Sequence, residues 1–288
     1  MTDAPTLLDV LDVRPVPGTA DTFSGANLPD WRPRLFGGQV LGQAAVAAGR
    51  TVDPDRALHS FHGYFLRPGD PDVAVHLAVE RLRDGRSFSA RRVQALQDGV
   101  PILSGIASFQ TAAEGLEHAE AAPDVPDPED LAPDEEAMGG ATPARLLEHL
   151  AARPVQIRHV EPPLYLTPDP HPVDRQSVWL RLPLDLPGRD DDQVLHRAAL
   201  AYASDVTILE PVLRRSGLAW ATPGISVASL DHAMWWHHPA RADDWLLFVT
   251  ASPAASGARG LATGRLYDRE RRLLATVAQE GMLRLPRP

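Results

Sequence analysis

The chain has 288 residues, 28 basic and 38 acidic side chains and a formal net charge of −10. That balance excludes a broad surface for nucleic acid or an anionic membrane, since both need clustered cations. Every basic residue is arginine and there is no cysteine, so a Schiff-base lysine, a cysteine nucleophile, a disulfide and a thiolate metal site are excluded as well.

Hydrophobic residues make up 44% of the chain, enough for one large or two ordinary domains. The opening residues, Met-Thr-Asp-Ala-Pro-Thr-Leu-Leu-Asp, have neither a basic nor an apolar targeting region. No run approaches the ~18 apolar residues of a membrane span. This reads as a soluble cytoplasmic protein.

In chain order, weak alternation over residues 11–28 around Pro17-Gly18 predicts a hairpin. Gly37-Gly38 then opens a helix with Val40, Leu41, Ala44, Ala45 and Ala48 on one face. Strands follow over 58–67, 73–82, 87–96 and 101–110, separated in part by Asp84-Gly85 and Asp98-Gly99, which are hairpin signals. These form a first domain, residues 1–115. Residues 116–153 are acidic and Pro-rich and read as a solvated linker, with a short helix over 143–152 docking at its end. The second domain, 154–288, has predicted strands over 155–161 and 177–182. A helix starts after Asp205, a favoured N-cap residue, and a meander runs through 225–237, 245–252, 257–267 and 272–284.

The two domains repeat one another. Leu58-His-Ser-Phe-His-Gly-Tyr-Phe-Leu-Arg-Pro68 returns as Ser229-Leu-Asp-His-Ala-Met-Trp-Trp-His-His-Pro239, and Ile102-Leu-Ser-Gly-Ile-Ala-Ser-Phe-Gln110 as Leu273-Leu-Ala-Thr-Val-Ala-Gln-Glu-Gly281. The spacing is roughly 168 to 171 residues, far longer than solenoid periods. The second copy carries Asp205, Ser229 and Gln279 where the first has about Gly37, His59 and Ser108. Taken singly, these three are a helix cap and two strand polars. Taken together, a carboxylate, a hydroxyl and an amide can hold one water by three hydrogen bonds, the carboxylate serving as general base. Gly37-Gly38 serves a tight turn and close packing equally well as it serves an oxyanion, through the unpaired N–H groups of a helix start.

Other chemistry finds less support. Gly224-Ile-Ser-Val-Ala228 nearly matches a nucleophile elbow, but Ser226 opens a predicted strand rather than a strand-to-helix turn. No phosphate loop, dinucleotide fingerprint or paired-His zinc helix occurs. His59 and His62 point to opposite faces of a strand, and with His232, His237 and His238 they give no metal site.

Phe36-Gly-Gly-Gln-Val-Leu-Gly-Gln43, the block beginning at His59, Arg86-Ser-Phe-Ser-Ala-Arg-Arg92, Tyr202-Ala-Ser-Asp205, Leu230-Asp-His-Ala-Met-Trp-Trp-His237 and Val277-Ala-Gln-Glu-Gly281 resemble the signature blocks of the acyl-CoA thioesterase II, or TesB-like, family. The resemblance implies an α+β double hotdog, each unit a central helix wrapped by an antiparallel sheet, the two side by side. It implies hydrolysis of fatty acyl-CoA, of medium to long chain, to free acid and coenzyme A, without a cofactor. In that family an Asp, a Thr and a Gln of the second hotdog orient the attacking water. Asp205 and Gln279 match, and Ser229 stands at the Thr position, keeping the hydroxyl but losing the methyl that restricts its rotamers.

The same resemblance makes Gly37, Gly38, His59, Arg67, Arg91 and Arg259 candidates for binding substrate, the arginines at the coenzyme A phosphates. It also implies a homodimer or homotetramer. The competing functions are a non-catalytic acyl-CoA sensor or carrier and a hotdog enoyl-CoA hydratase. The hydratase pattern has a His five residues after the Asp, where this chain has Glu210.

Overall fold

A computed structural model describes residues 5–29, 34–138, 142–184 and 192–286. The elements in order are α1 (Leu7–Leu11), β1 (Arg14–Pro15), β2 (Thr22–Gly25), α2 (Gly37–Gly49), β3 (Arg56–Phe65), β4 (Val75–Asp84), β5 (Phe88–Gln97) and β6 (Val100–Thr111). A 3₁₀ turn (Pro128–Asp130), α3 (Asp134–Ala137), α4 (Ala144–Ala152), β7 (Gln156–His159), β8 (Arg175–Arg181), α5 (Gln193–Thr207) and α6 (Glu210–Arg215) follow. The chain ends with β9 (Ser226–Ser229), β10 (Asp231–Trp236), β11 (Leu246–Ser256), β12 (Arg259–Tyr267) and β13 (Leu273–Arg284).

Two compact units result, and each draws on separated segments. The first comprises Met1–His118, Leu184–Val206 and Asp231–Ala242; the second comprises Ala119–Pro183, Thr207–Leu230 and Asp243–Pro288. The sequence had suggested uninterrupted domains at 1–115 and 154–288.

The first unit is an antiparallel sheet in the order β1-β2-β4-β5-β6-β3-β10. Its β5–β6 hairpin closes through Asp98 and Gly99, both at positive φ (49° and 76°), the backbone that a twist-matched two-residue turn needs and Asp-Gly supplies. Strand β10 runs against β3 in register from Asp231↔Tyr64 to Trp235↔Ser60. The pairing of β3 with β6 slips between Leu58 and Ser60, so His59 sits at a β-bulge, a feature that re-aims a side chain.

Helix α2 is buried from Gly38 to Ala48. Its polar side chains serve as anchors: the Gln39 oxygen accepts from Leu28 N–H at 2.9 Å and its amide donates to Asn27 at 2.8 Å, while the Gln43 amide donates to the Val10 and Ala26 carbonyls at 3.1 and 2.7 Å. Helix α5 lies against α2, and no Cβ fits at Gly42 without coming within 3.0 Å of the Ala198 carbonyl oxygen. The repeat alignment had not foreseen α5. Leu195, Ala198, Ala199, Leu200 and Ala203 are all buried, and so are the polar His196, Arg197 and Ser204, so the segment is not divided into a core side and a solvent side, although its Ala and Leu content favours helix.

The second unit is an antiparallel sheet in the order β13-β12-β11-β8-β7, with β9 also pairing β13. The acidic tract, expected as a solvated linker, packs against this unit. Ala122, Val125 and Leu131 cover Trp179, Trp245, Leu247 and Tyr267. Trp179 donates its indole N–H to the Pro126 carbonyl at 2.9 Å, and Arg265 and Arg269 pair with Glu120 and Glu129, each at 2.6 Å. An extended Pro-rich strap leaves its carbonyls unpaired, and they accept from the sheet's Trp and Arg side chains, as Pro123 and Val125 do from Arg271.

Two further expectations change. The strand foreseen over 225–237 is divided at Leu230 into β9, which pairs β13, and β10, which pairs β3. Asp205 does not cap a helix start but lies in the last turn of α5. Pro211, which has no N–H and would clash with the carbonyl of Thr207, separates α5 from α6.

Candidate active site

The Asp205 carboxylate lies against the first turn of α2. A Cβ added to Gly37 would stand 2.9 Å from Asp205 Oδ2 and 2.9 Å from the Phe65 ring, so only glycine leaves the carboxylate room there. The N-cap residue of α2, Phe36, supplies no side-chain hydrogen bond. The helix N-terminus therefore keeps backbone N–H groups and a positive dipole end beside the carboxylate. Asp205 gains nothing from its own helix, because a carboxylate in a last turn faces the negative end of that dipole. Helix stability does not explain an aspartate here. Gly38 has a different reason: its Cβ would come within 2.6 Å of the Tyr202 carbonyl oxygen, so its absence sets how closely α2 approaches α5.

In the second unit Ser229 and Gln279 meet. The Gln279 amide donates to Ser229 Oγ at 2.8 Å. Ser229 pairs with Gly281 across β9–β13, and Gln279 precedes Gly281 by two residues on the same face, within diagonal reach. Gln279 is buried among Val277 and Gly281 on the inner face of β13, where a polar side chain requires partners.

The remaining candidates separate by exposure. His59, at its bulge, stands edge-on to Phe88 with ring centroids 5.9 Å apart. Burial, with the positive charge of Arg197 as a smaller cause, pushes its imidazole below the ordinary value. Arg197 is itself buried, donates to the Leu58 carbonyl and is lowered by that burial. Arg67 is exposed and donates to the Pro101 carbonyl at 3.0 Å. Arg259 is half-exposed beside Glu280 at 2.9 Å.

Arg91 requires a correction. It is 1% exposed, and all its donors are used: Nε on Thr51 Oγ1, Nη1 on the Arg83 and Ala90 carbonyls, Nη2 on the Thr51 carbonyl and Asp84. A guanidinium has five N–H groups, so none is left for a phosphate. Arg91 braces the β4–β5 hairpin against the end of α2. Glu210, at the hydratase position, is likewise buried and occupied, by Gln176 and by the Trp220 indole at 2.9 Å.

These sites fall within regions shared with known proteins. Residues 160–282 match the acyl-CoA thioesterase family, and residues 27–110 match the acyl-CoA thioesterase N-terminal domain. Mouse acyl-coenzyme A thioesterase 8 is 40% identical over 96% of this chain and 88% of its own length. The chain belongs to the acyl-CoA thioesterase family.

Another member, acyl-CoA thioesterase 2 of Haemophilus influenzae, is 37% identical over 87% of this chain and 88% of its own. Among solved structures, acyl-CoA thioesterase II TesB2 from Mycobacterium marinum aligns at a TM-score of 0.77 with 39% identity, covering 98% of this chain and 99% of that one. A hot dog fold protein from Alicyclobacillus acidocaldarius aligns at 0.77 with 19% identity, covering 98% of each chain, a likeness of fold alone. The fold is thus the thioesterase double hotdog. The thioesterase match over 160–282 holds Asp205, Ser229, Arg259 and Gln279; the one over 27–110 holds Gly37, Gly38, His59, Arg67 and Arg91.

One pair near the site escaped sequence reasoning. Ser204 and His232 are both buried and lie 3.1 Å apart, Oγ to Nε2. His232 had been weighed only as a metal ligand. The signal that points to it is its place, three residues after Ser229 in a repeated block.

Proposed function

We propose that this thioesterase hydrolyses fatty acyl-CoA of medium to long chain by direct attack of one water on which Asp205, Ser229 and Gln279 act together. Asp205 takes a proton from the water as its oxygen attacks the thioester carbonyl carbon. Ser229 and Gln279 orient the water, and N–H groups at the start of α2, near Gly38, stabilise the tetrahedral oxyanion. The oxyanion collapses, the C–S bond breaks, and the coenzyme A thiolate leaves and recovers the proton. The products are free acid and coenzyme A thiol, and no acyl-enzyme forms.

The observation that most supports this reading is the 2.8 Å bond from Gln279 to Ser229, a buried amide spent on holding one hydroxyl. Of the three candidate arginines, Arg67 and Arg259 have guanidinium surface to offer coenzyme A phosphates, and His59 borders bound substrate. The protein acts in the cytoplasm as a homodimer or homotetramer; a monomeric mass at micromolar concentration rejects the assembly.

Release of free thiol from a ladder of saturated acyl-CoAs tests the chemistry, and the protein has no cysteine to add to the signal. Asp205→Asn is expected to lower kcat by ~10²–10⁴-fold. Gln279→Ala combined with Asp205→Asn is expected to lose little more than Asp205→Asn alone, because both act on one water. Full activity in Asp205→Asn removes the proposed base, and binding without any thiol release turns the reading into a carrier.

A further inference from the structure

We infer that His232 and Ser204 are positioning residues for Asp205, locking the last turn of α5 so that the carboxylate meets its water in one orientation. The inference rests on the proposed role of Asp205. Ser204 and His232 are 0% and 1% exposed, and both belong to the first unit. Ser204 Oγ lies 3.0 Å from the Ala201 carbonyl oxygen and 3.1 Å from His232 Nε2. Helix carbonyl and imidazole thus hold one hydroxyl from two sides.

A brace is needed at this point of the fold. Pro211 removes the N–H that would bond the Thr207 carbonyl, so the final turn of α5 loses the onward ladder that steadies helix interiors. His232 supplies an outside hold. Its own backbone is fixed by the pairing of β10 with β3, opposite Gly63. Adjacent residues on a helix point about 100° apart. With Ser204 turned inward and pinned, Asp205 is turned toward Gly37, where Oδ2 lies 2.9 Å from the position of an added Cβ.

Steady-state kinetics on acyl-CoA test this with His232→Leu, His232→Gln, Ser204→Ala and the Leu/Ala double variant, each normalised to folded protein by circular dichroism. His232→Leu is expected to lower kcat by ~10–100-fold, the scale of a misplaced catalytic group, with KM within about threefold of wild type. His232→Gln, whose amide N–H falls near the imidazole Nε2, is expected to recover most of that loss. Ser204→Ala should resemble His232→Leu, and the double variant should be little worse than either single one.

Wild-type kcat in His232→Leu overturns the inference, as does a His232→Gln no better than Leu. If the Leu variant does not fold, Ser204→Ala decides, since it removes one oxygen, and an unchanged kcat there overturns the inference too. An Asp205→Asn enzyme that stays active sinks the proposed reaction instead. A dead Asp205→Asn beside a fully active His232→Leu sinks only the positioning.

Discussion

At the scale of single residues, two neighbouring glycines predict opposite outcomes for the same change. In Gly37→Ala the new methyl meets the Asp205 carboxylate and the Phe65 ring, each at 2.9 Å. Both are side-chain ends that can give way, so stability changes little while the proposed base is displaced. We expect a loss in kcat of about 10–100-fold with an almost unchanged melting temperature. In Gly38→Ala the methyl meets the Tyr202 carbonyl oxygen at 2.6 Å, and backbone cannot turn aside. Helices α2 and α5 must separate, costing ~1–3 kcal/mol, or roughly 2–4 °C in Tm per kcal/mol. Parallel melting and turnover measurements distinguish the two. Ser229→Thr adds the methyl that narrows the hydroxyl's rotamers, and its kcat is expected to equal or exceed that of wild type.

At the scale of elements, arginine environment separates support from recognition. Arg91→Leu strands the Thr51, Asp84 and backbone acceptors it now serves, and is expected to cost about 3 kcal/mol in urea unfolding, leaving KM unchanged in the folded fraction. Arg67→Ala and Arg259→Ala should do the reverse, raising KM for acyl-CoA at constant kcat, more so at low salt. The strap on the second unit has its own clasp. Asp134 is buried, receives Arg153 and the Tyr165 hydroxyl (2.9 Å), and lies 2.9 Å from His159 Nε2. Burial pushes its carboxyl up, but His159 and Arg153 outweigh that and hold it below the ordinary value. The stability it contributes is thus complete at neutral pH and lost only in acid below the ordinary carboxylate range. Asp134→Asn is expected to open α3 and α4 to limited proteolysis at pH 7 while thiol release continues; an equally resistant variant means the clasp does not hold the strap.

Across the whole molecule, two histidines with lowered pKa, the half-buried His59 and the more exposed His237, contribute to the acid side of stability. His59 and His237 are both lowered from 6.5, chiefly by burial, with Arg197 and His238 respectively adding to the effect. Below that ordinary value the unfolded chain binds protons that the folded chain refuses, so stability falls as pH drops from about 6.5 toward the lower folded values. The urea midpoint should therefore be lower at about pH 5 than at about pH 7.5. His59→Gln should flatten part of that slope; an identical slope in the variant places the titrating groups elsewhere.

The sequence by itself determined the pieces whose physics is local. Asp98-Gly99 closes its hairpin because those residues tolerate positive φ, and the period-two runs became the strands of two antiparallel sheets. Ser229 and Gln279 stood out because one copy of a repeat carries a hydroxyl and an amide where the other has His59 and Ser108, and the structure brings that pair to 2.8 Å. Tertiary structure decided whatever depends on a distant partner. Helix α5 turns little surface to solvent because nearly all of it is buried, His196, Arg197 and Ser204 included, and the break at Leu230 lets the second half of that strand pair with β3. Arg91 looks in sequence like any exposed cation, yet Thr51 and Asp84 occupy it. The acidic tract has the composition of a solvated linker, but Trp179 and a row of arginines lie where it passes. Charge, backbone freedom and periodicity are properties of a segment and can be read along it, whereas burial and hydrogen-bond satisfaction belong to what lies opposite, which only the folded chain supplies.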